Sequence, residues 1–240
     1  MTRTPSLLLP PDEAERLHTL RAYDILHSLQ EPLFNELVEL AAHIFNVPIS
    51  LLALVDADEV EYKAVQGLSD LRTQPRSEAL CSLAVRQGKT VVITDLSCTK
   101  PDYLTPSAYA AARAKGVQFY AGAPLRMPNQ RCIGTLCVID QQPRTFSLAE
   151  QQVLEQLAYL VGRLLAVRQY CLAGKTPGEG RWPVVRAELA AEVRALVALV
   201  RYLTTRSGRH VPVLPIVLNS VTRHLDDLRW SLGDYYPGHI

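Results

Sequence analysis

Apolar positions along the chain change period several times, and each change marks an expected element. Phe34, Leu37, Val38, Ala41, Ile44 and Phe45 recur at helical spacing, and Asn46-Val47-Pro48 ends that run. ISLLALVD (49–56) is short and apolar, the pattern of a buried strand; after the DADE turn (56–59), VEYKAVQG (60–67) alternates roughly, which predicts a hairpin. TVVITD (90–95) predicts another strand, and residues 117–126 and 132–139 two more, joined by MPNQR. Ala79–Gln87, stopped by Gly88, and Ala108–Lys115, ended by Gly116, read as short helices. Residues 68–77 and 97–107 are polar and read as loops.

Asp12, with Glu15 three residues on, predicts a capping box that opens a first helix with Leu17, Leu20 and Tyr23 on its apolar side. Ser147 predicts the cap of a long helix to about Leu172, with Leu154, Leu157, Val161 and Leu164 at 3-4-3 spacing. Beyond it, Leu189, Val193, Leu196, Val200 and Leu203 form a heptad seam, and so do Leu214, Leu218, Val221, Leu225, Leu228 and Leu232. Gly208 and Pro212 mark the turn between them, so an antiparallel helical hairpin is expected, docked on its own domain or on a partner's hairpin. The order α-α-β-β-α-β-α-β-β-α, then α-α, predicts an α+β architecture: a mostly antiparallel sheet packed by helices, with a C-terminal helical hairpin. The division expected is a flexible arm at 1–11, a main domain at 12–172, a linker at 173–183 rich in glycine and proline, and the hairpin at 184–240.

Composition narrows the classes. The 240 residues are 48% hydrophobic with a net charge of +1, so a packed core is expected and no strong field for nucleic acid exists. Residues 1–172 carry net −2 and residues 173–240 net +3, which selects no partner. No secretory signal is visible and no apolar run reaches about 18 residues, so a cytoplasmic chain without a membrane span is expected. The five cysteines, at 81, 98, 132, 137 and 171, have no framework spacing and are expected to be reduced. Cys132 and Cys137 are five apart, which in a regular strand points them to opposite faces, so they neither bond nor share a metal unless a bulge intervenes.

Four segments together resemble the GAF domain family over residues 12–170: DEAERLHTLRAYDIL, ELVELAAHIFNVPISLLALVD, LCSLAVRQGKTVVITDL and GVQFYAGAPLRMPNQRCIGTLCVIDQQPRTFSLAEQQVLEQLA. The resemblance implies a sensory or dimerising module of bacterial signalling proteins, some members of which bind cyclic nucleotides, bilins or haem on one side of the sheet. Bilin-binding relatives attach their chromophore through a Cys-Ser-Pro-x-His-like segment; here LTPSA (104–108) puts Leu104 in the cysteine's place and Ala108 in the histidine's. Of the Asn-Lys…Phe…Asp-Glu pattern of cyclic-nucleotide binders, this chain has Asp140-Gln141, Phe146 and Glu150-Gln151, so Phe146 and one acid are kept. The cysteine pattern of the relatives that reduce free methionine sulfoxide is not matched.

Other motifs fail on spacing. RQGKT (86–90) lacks the earlier glycine of a phosphate loop, since Leu83 stands there, and a strand follows it. AGKTP (173–177) fails likewise, with Gln169 in the glycine's place. The six histidines show no ligand spacing, and His224 in RHLDDLRW has no phosphorylation box around it. The candidate pocket is expected over residues 79–120, with Cys81, Asp95, Tyr103, Tyr109 and Phe119 supplying a thiol, a carboxylate and aromatic walls for a small, partly apolar ligand. The leading expectation is a non-enzymatic module, without cofactor or metal, that binds a small molecule or dimerises through its helices to act on a signalling partner. A thiol redox sensor or small-molecule reductase using Cys81 is the second. A purely structural interaction module with a filled pocket is the third.

Overall fold

The architecture comes from a computed structural model, which describes residues 9–68, 71–98, 104–173, 181–207 and 211–233. Residues 1–8 of the expected arm, parts of both loops (69–70 and 99–103, with Tyr103), the linker residues 174–180, the turn residues 208–210 and the end at 234–240 lie outside these.

Six strands form one antiparallel sheet: β1 (Ile49–Val55), β2 (Glu59–Gln66), β3 (Thr73–Pro75), β4 (Val91–Ile93), β5 (Phe119–Arg126) and β6 (Cys132–Asp140), in the order β3-β2-β1-β6-β5-β4. β1 and β6 are central and almost wholly buried, which is why both read as continuous apolar runs. The short strand β3 falls in the segment 68–77, where the sequence predicts loop; it is three residues long and pairs at the sheet edge, too short to leave a pattern.

The sheet has two differently covered faces. On one lie α3 (Pro32–Phe45) and α6 (Leu148–Leu172), and outside them α7 (Arg181–Ser207) and α8 (Pro215–Gly233), with α7 packed on α3 and α8 on α6. Leu189, Val193, Leu196 and Val200 of α7, and Leu218, Val221, Leu225, Leu228 and Leu232 of α8, are buried in the same core as Leu37, Ile44, Leu157 and Leu164. The heptad seams therefore close within the chain, as a four-helix layer. On the other face lie α4 (Cys81–Gln87) and α5 (Pro106–Ala114), over a second core that includes Leu51, Ala53, Val55, Tyr120, Cys137 and Ile139. Strand alternation divides β5 between them: Phe119, Ala121 and Ala123 face the helical layer, and Tyr120 faces α4 and α5.

Caps and close approaches fix the helices on this frame. Ser147 caps α6 as expected, in a capping box completed by Glu150, and Thr105 caps α5 by accepting from Ala108 N at 3.1 Å. At α1 (Glu13–Ala22) the expected capping box is absent: Asp12 makes no side-chain cap, and both its carboxylate and that of Glu15 pair with Arg131 instead. The expected apolar side of α1 packs inward, with Leu20 buried and Leu17 and Tyr23 half-buried against the core, but Arg16 and Thr19 are buried with it. Arg16 is fully buried, donating to Val55 O at 2.6 Å and to Glu13, which also pairs with the buried Arg76. Between α1 and α3, a single turn, α2 (Ile25–Ser28), completes the α-helices among the described residues, and Arg76–Glu78 forms one 3-10 turn. Gly162 brings α6 onto the sheet, since a Cβ there would stand 2.4 Å from Arg126 O. The Arg126 side chain reaches to the opposite face and donates to Gly88 O, at the end of α4.

Candidate functional site

The cavity that carries the chemistry lies on the α4–α5 face. Its volume is about 50 Å³, and Ile49, Leu51, Leu68, Leu71 and Ile139 make it mainly apolar. One rim is polar and organised by Gln74, whose Oε1 accepts from Tyr62 Oη at 2.9 Å and Lys115 Nζ at 2.8 Å, while its Nε2 donates to Glu78 O at 2.9 Å. Burial pulls the Lys115 ammonium below its ordinary pKa, against the attraction of Glu78 and Cys81. Cys81 and Tyr120 also line the cavity.

Behind Cys81 stands Cys137, with 3.9 Å between the sulfurs. Antiparallel register places Cys137 between Leu51 on β1 and Gly122 on β5. Gly122 matters because it has no side chain: a Cβ there would lie 2.2 Å from Tyr120 Oη, so the phenol occupies the space the glycine leaves. The Cys137 thiol is 3.7 Å from Leu51 O and within reach of Cys81. Its interaction with Cys81 lowers the Cys81 pKa to about 7 against the opposing effect of burial, with Thr135 and Tyr120 contributing in the same direction. Cys137 itself is pushed well up by Cys81 and by burial. Tyr120 Oη and Thr135 Oγ1 are buried without a hydrogen-bond partner of ordinary length, and both favour an anionic Cys81 sulfur.

The expected site residues scatter. Cys81 lines the cavity. Asp95 is outside it, accepting from Ser97 N at 2.8 Å and Ser97 Oγ at 2.5 Å in an exposed turn, where these bonds hold its carboxyl below the usual range. Tyr109 packs at the margin of the second core and meets Arg113 Nη1 at 3.2 Å. Phe119 points the other way, its ring 5.5 Å from Phe146 and 5.2 Å from the Arg144 guanidinium. Tyr103 lies outside the described residues. The sequence pointed to the wrong aromatic of the Phe119-Tyr120 pair because alternation alone does not say which parity faces the cavity. Gln74, Lys115, Tyr62 and Cys137 carry no local signal of the site, since sheet pairing and helix docking bring them in from separate elements.

The strand cysteines also differ from expectation. Register slips between Leu125 and Arg126, so that Ile133 is an extra residue on β6, and Cys132 and Cys137 end up in the same core. Distance keeps them apart: five residues of strand span roughly 16 Å. The small residues of the hairpin leave no open floor. Tyr120 fills the space at Gly122, the Ala53 backbone closes on Gly134, and Ala121 and Ala123 are buried in the core with α6. Phe146 and Glu150, the remnants of the nucleotide-binding pattern, are engaged under the helical layer: Phe146 makes tilted ring contacts with Phe45 and Phe119, and Glu150 pairs with Arg144 at 3.3 Å. Among the described residues, no three His, Cys, Asp or Glu side chains converge as a metal site requires.

An antiparallel sheet covered by helices on both faces is the α+β fold that the resemblance implies. The family model for the GAF domain matches residues 30–165, more than half of the chain, and the chain belongs to that family. A cyclic di-GMP phosphodiesterase of Pseudomonas aeruginosa is 32% identical over 154 residues, covering 63% of this chain and 25% of the relative, so the chain spans about a quarter of that protein's length. Among solved structures, the GAF domain of an Acinetobacter phosphoenolpyruvate-protein phosphotransferase is similar at 19% identity, covering 67% of this chain and 98% of that one, with a TM-score of 0.47. A free methionine-R-sulfoxide reductase of Neisseria meningitidis is similar at 21% identity, covering 62% and 87%, with a TM-score of 0.45. No described helix is long and apolar enough to cross a membrane.

Proposed function

We propose that the chain is a non-catalytic sensory or regulatory module of bacterial signal transduction, with the Cys81 cavity as its input and the four-helix layer as its output. One observation carries this reading: the same strands wall both. On β6, Cys137 belongs to the cavity side while its neighbours Leu136 and Val138 are buried among the helices. Close-packed interiors transmit displacement, so an occupant that shifts β6 or β5 favours one packing of the helical layer over another. The relative's link to cyclic di-GMP supports a place in such signalling, acting on a partner that carries the chemistry.

The cavity size restricts the input. Drug-sized ligands occupy about 300–1,000 Å³, whereas this cavity is about 50 Å³. An input of a few non-hydrogen atoms fits; a cyclic nucleotide does not unless Leu68 and Leu71 move aside. Self-association through the helices belongs to the same reading. It would use the outer faces of the helices, where Leu148, Ile216 and Trp230 are exposed, because the heptad seams are closed inside.

Native mass spectrometry of the full chain, followed by thermal shifts with a panel of compact metabolites, tests the reading. A bound mass or a rise in Tm is expected for at least one compound. No bound mass and no shift would favour a structural module whose cavity is filled by its own side chains, to which the small volume also lends weight. Sedimentation showing a monomer at high micromolar concentration would remove self-association from the proposal.

A further inference from the structure

We propose that Cys81 and Cys137 form a two-electron thiol switch: hydrogen peroxide admitted to the cavity oxidises Cys81, and Cys137 then closes a disulfide that ties the start of α4 to β6. The proposal rests on the cavity as the input of the module, but the disulfide and the response of the helical layer are scored separately.

Four observations converge. The two sulfurs, on elements 56 residues apart in sequence, are 3.9 Å from each other, so the bond needs an approach of about 2 Å by rotation of the side chains. They are not equivalent: Cys81 lines the cavity, whereas Cys137 is sealed behind it. Tyr120 Oη and Thr135 Oγ1 are buried beside Cys81 without a partner, and an unpaired buried hydroxyl is unfavourable until an acceptor appears. A thiolate at Cys81 is such an acceptor, and its lowered pKa of about 7 agrees with that. Finally, a cavity of about 50 Å³ admits a peroxide of two oxygen atoms and excludes bulky oxidants such as glutathione disulfide.

The chemistry balances. The Cys81 thiolate attacks one peroxide oxygen; the O–O bond breaks, Cys81 becomes a sulfenic acid, and the released hydroxide takes a proton to leave as water. Cys137 then attacks the sulfenic sulfur, the S–O bond breaks, and the Cys137 proton leaves with the hydroxyl as a second water. One peroxide is reduced by two electrons, two thiols lose two protons, and two waters form. Cys98, which is exposed and adjacent to Ser97, is open to unselective oxidation and is therefore removed in the test.

The test uses the reduced full chain with Cys98→Ser, titrated with hydrogen peroxide, quenched with N-ethylmaleimide in denaturant and mapped by peptide mass spectrometry. The expected result is two thiols lost per peroxide, with Cys81 and Cys137 joined, and at least tenfold slower reaction with glutathione disulfide. Adding Cys137→Ser should halve the stoichiometry to one thiol per peroxide and leave a Cys81 sulfenic acid that dimedone labels. If Cys137→Ser fails to fold, Cys137→Ala supplies the same readout, and the mapped disulfide of the parent stands by itself. Oxidation of Cys132 or Cys171 before Cys81, or an unchanged Cys81 and Cys137 after excess peroxide, overturns the switch. Disulfide formation without altered hydrogen exchange in α6–α8 would leave the switch standing and refute the output assigned to the helical layer.

Discussion

Replacing Glu150 by alanine should loosen the attachment of the tail to the sensory domain. This carboxylate is fully buried and accepts from four donors of three residues at once. Its Oε2 accepts from Ser147 N at 2.7 Å and Ser147 Oγ at 2.8 Å, and its Oε1 accepts from Arg144 Nη2 at 3.3 Å and from Val213 N, at the entrance to α8, at 3.1 Å. Losing the carboxylate half of the capping box costs up to about 1 kcal/mol, since Ser147 Oγ still accepts from the backbone N–H at 150. Leaving the Arg144 guanidinium buried with Phe45 O as its carbonyl partner costs about 3–5 kcal/mol. An orphaned Val213 N–H adds about 1–3 kcal/mol. One side chain makes all these contacts and relaxation is shared, so the whole is smaller than the parts, about 4 kcal/mol. That is a large share of the roughly 5–15 kcal/mol by which domains are stable. Urea unfolding followed by circular dichroism measures it as a fall in the midpoint. Glu150→Gln, which keeps one acceptor oxygen, should lose about half as much. Combining Glu150→Ala with Arg144→Met should recover part of the loss, because no buried charge is left unpaired. A loss below about 1 kcal/mol for Glu150→Ala, or no recovery in the double variant, would refute the argument that Arg144 depends on this carboxylate.

Other perturbations follow from the same contacts. Burial pushes the Glu13 carboxyl up, but the hydrogen bonds and charges of Arg16 and Arg76 outweigh it and hold the pKa below the ordinary value. Stability from this group is therefore present above the unfolded carboxylate pKa and lost as pH falls through the lower folded value, and Glu13→Gln should flatten the acid limb of a stability–pH curve. Gly122→Val should displace the Tyr120 phenol, whose oxygen stands 2.2 Å from the added Cβ, and raise the Cys81 pKa in a thiolate titration at 240 nm. Leu225→Ala on α8 should cost about 2–5 kcal/mol in the urea assay, because this residue is buried in the common core; a surface-like change below about 0.5 kcal/mol would mean the hairpin is not docked.

Legibility in the sequence followed how local each determinant is. ISLLALV and CIGTLCVID announced central strands because both faces of each are covered, and the FSLAE start of α6 announced its capping box because all its partners lie within four residues. The hairpin seams were legible from their heptads, but the surface they cover was not, since α3 and α6 present it only once the sheet has formed. The site was mostly illegible. Cys81 could be singled out by its place at the start of a short helix, but its partner Cys137 is selected by the register of β1, β6 and β5. A single extra residue at Ile133 reversed the facing of Cys132, and nothing in CIGTL signals it except a glycine that the Ala53 carbonyl oxygen approaches, 2.1 Å from where a Cβ would stand. Asp12 and Glu15 have the spacing of a capping box, yet a distant arginine, Arg131, takes both carboxylates.

The contact between Gly162 and Arg126 has a mechanical consequence. Sliding α6 along the sheet would bring Val161 or Arg163 to the position where even one added carbon meets a carbonyl oxygen at 2.4 Å, so the helix is held against translation there. Tilting is not blocked in the same way. Gly162 lies 14 residues from the first residue of α6 and 10 from its last, which makes it an off-centre fulcrum on a lever with arms of roughly 20 and 15 Å. A tilt of about 5° would move the long arm by roughly 2 Å, in the opposite direction to the short arm. Since Arg126 also holds the end of α4, the pin of this lever is attached to the helix that Cys81 begins.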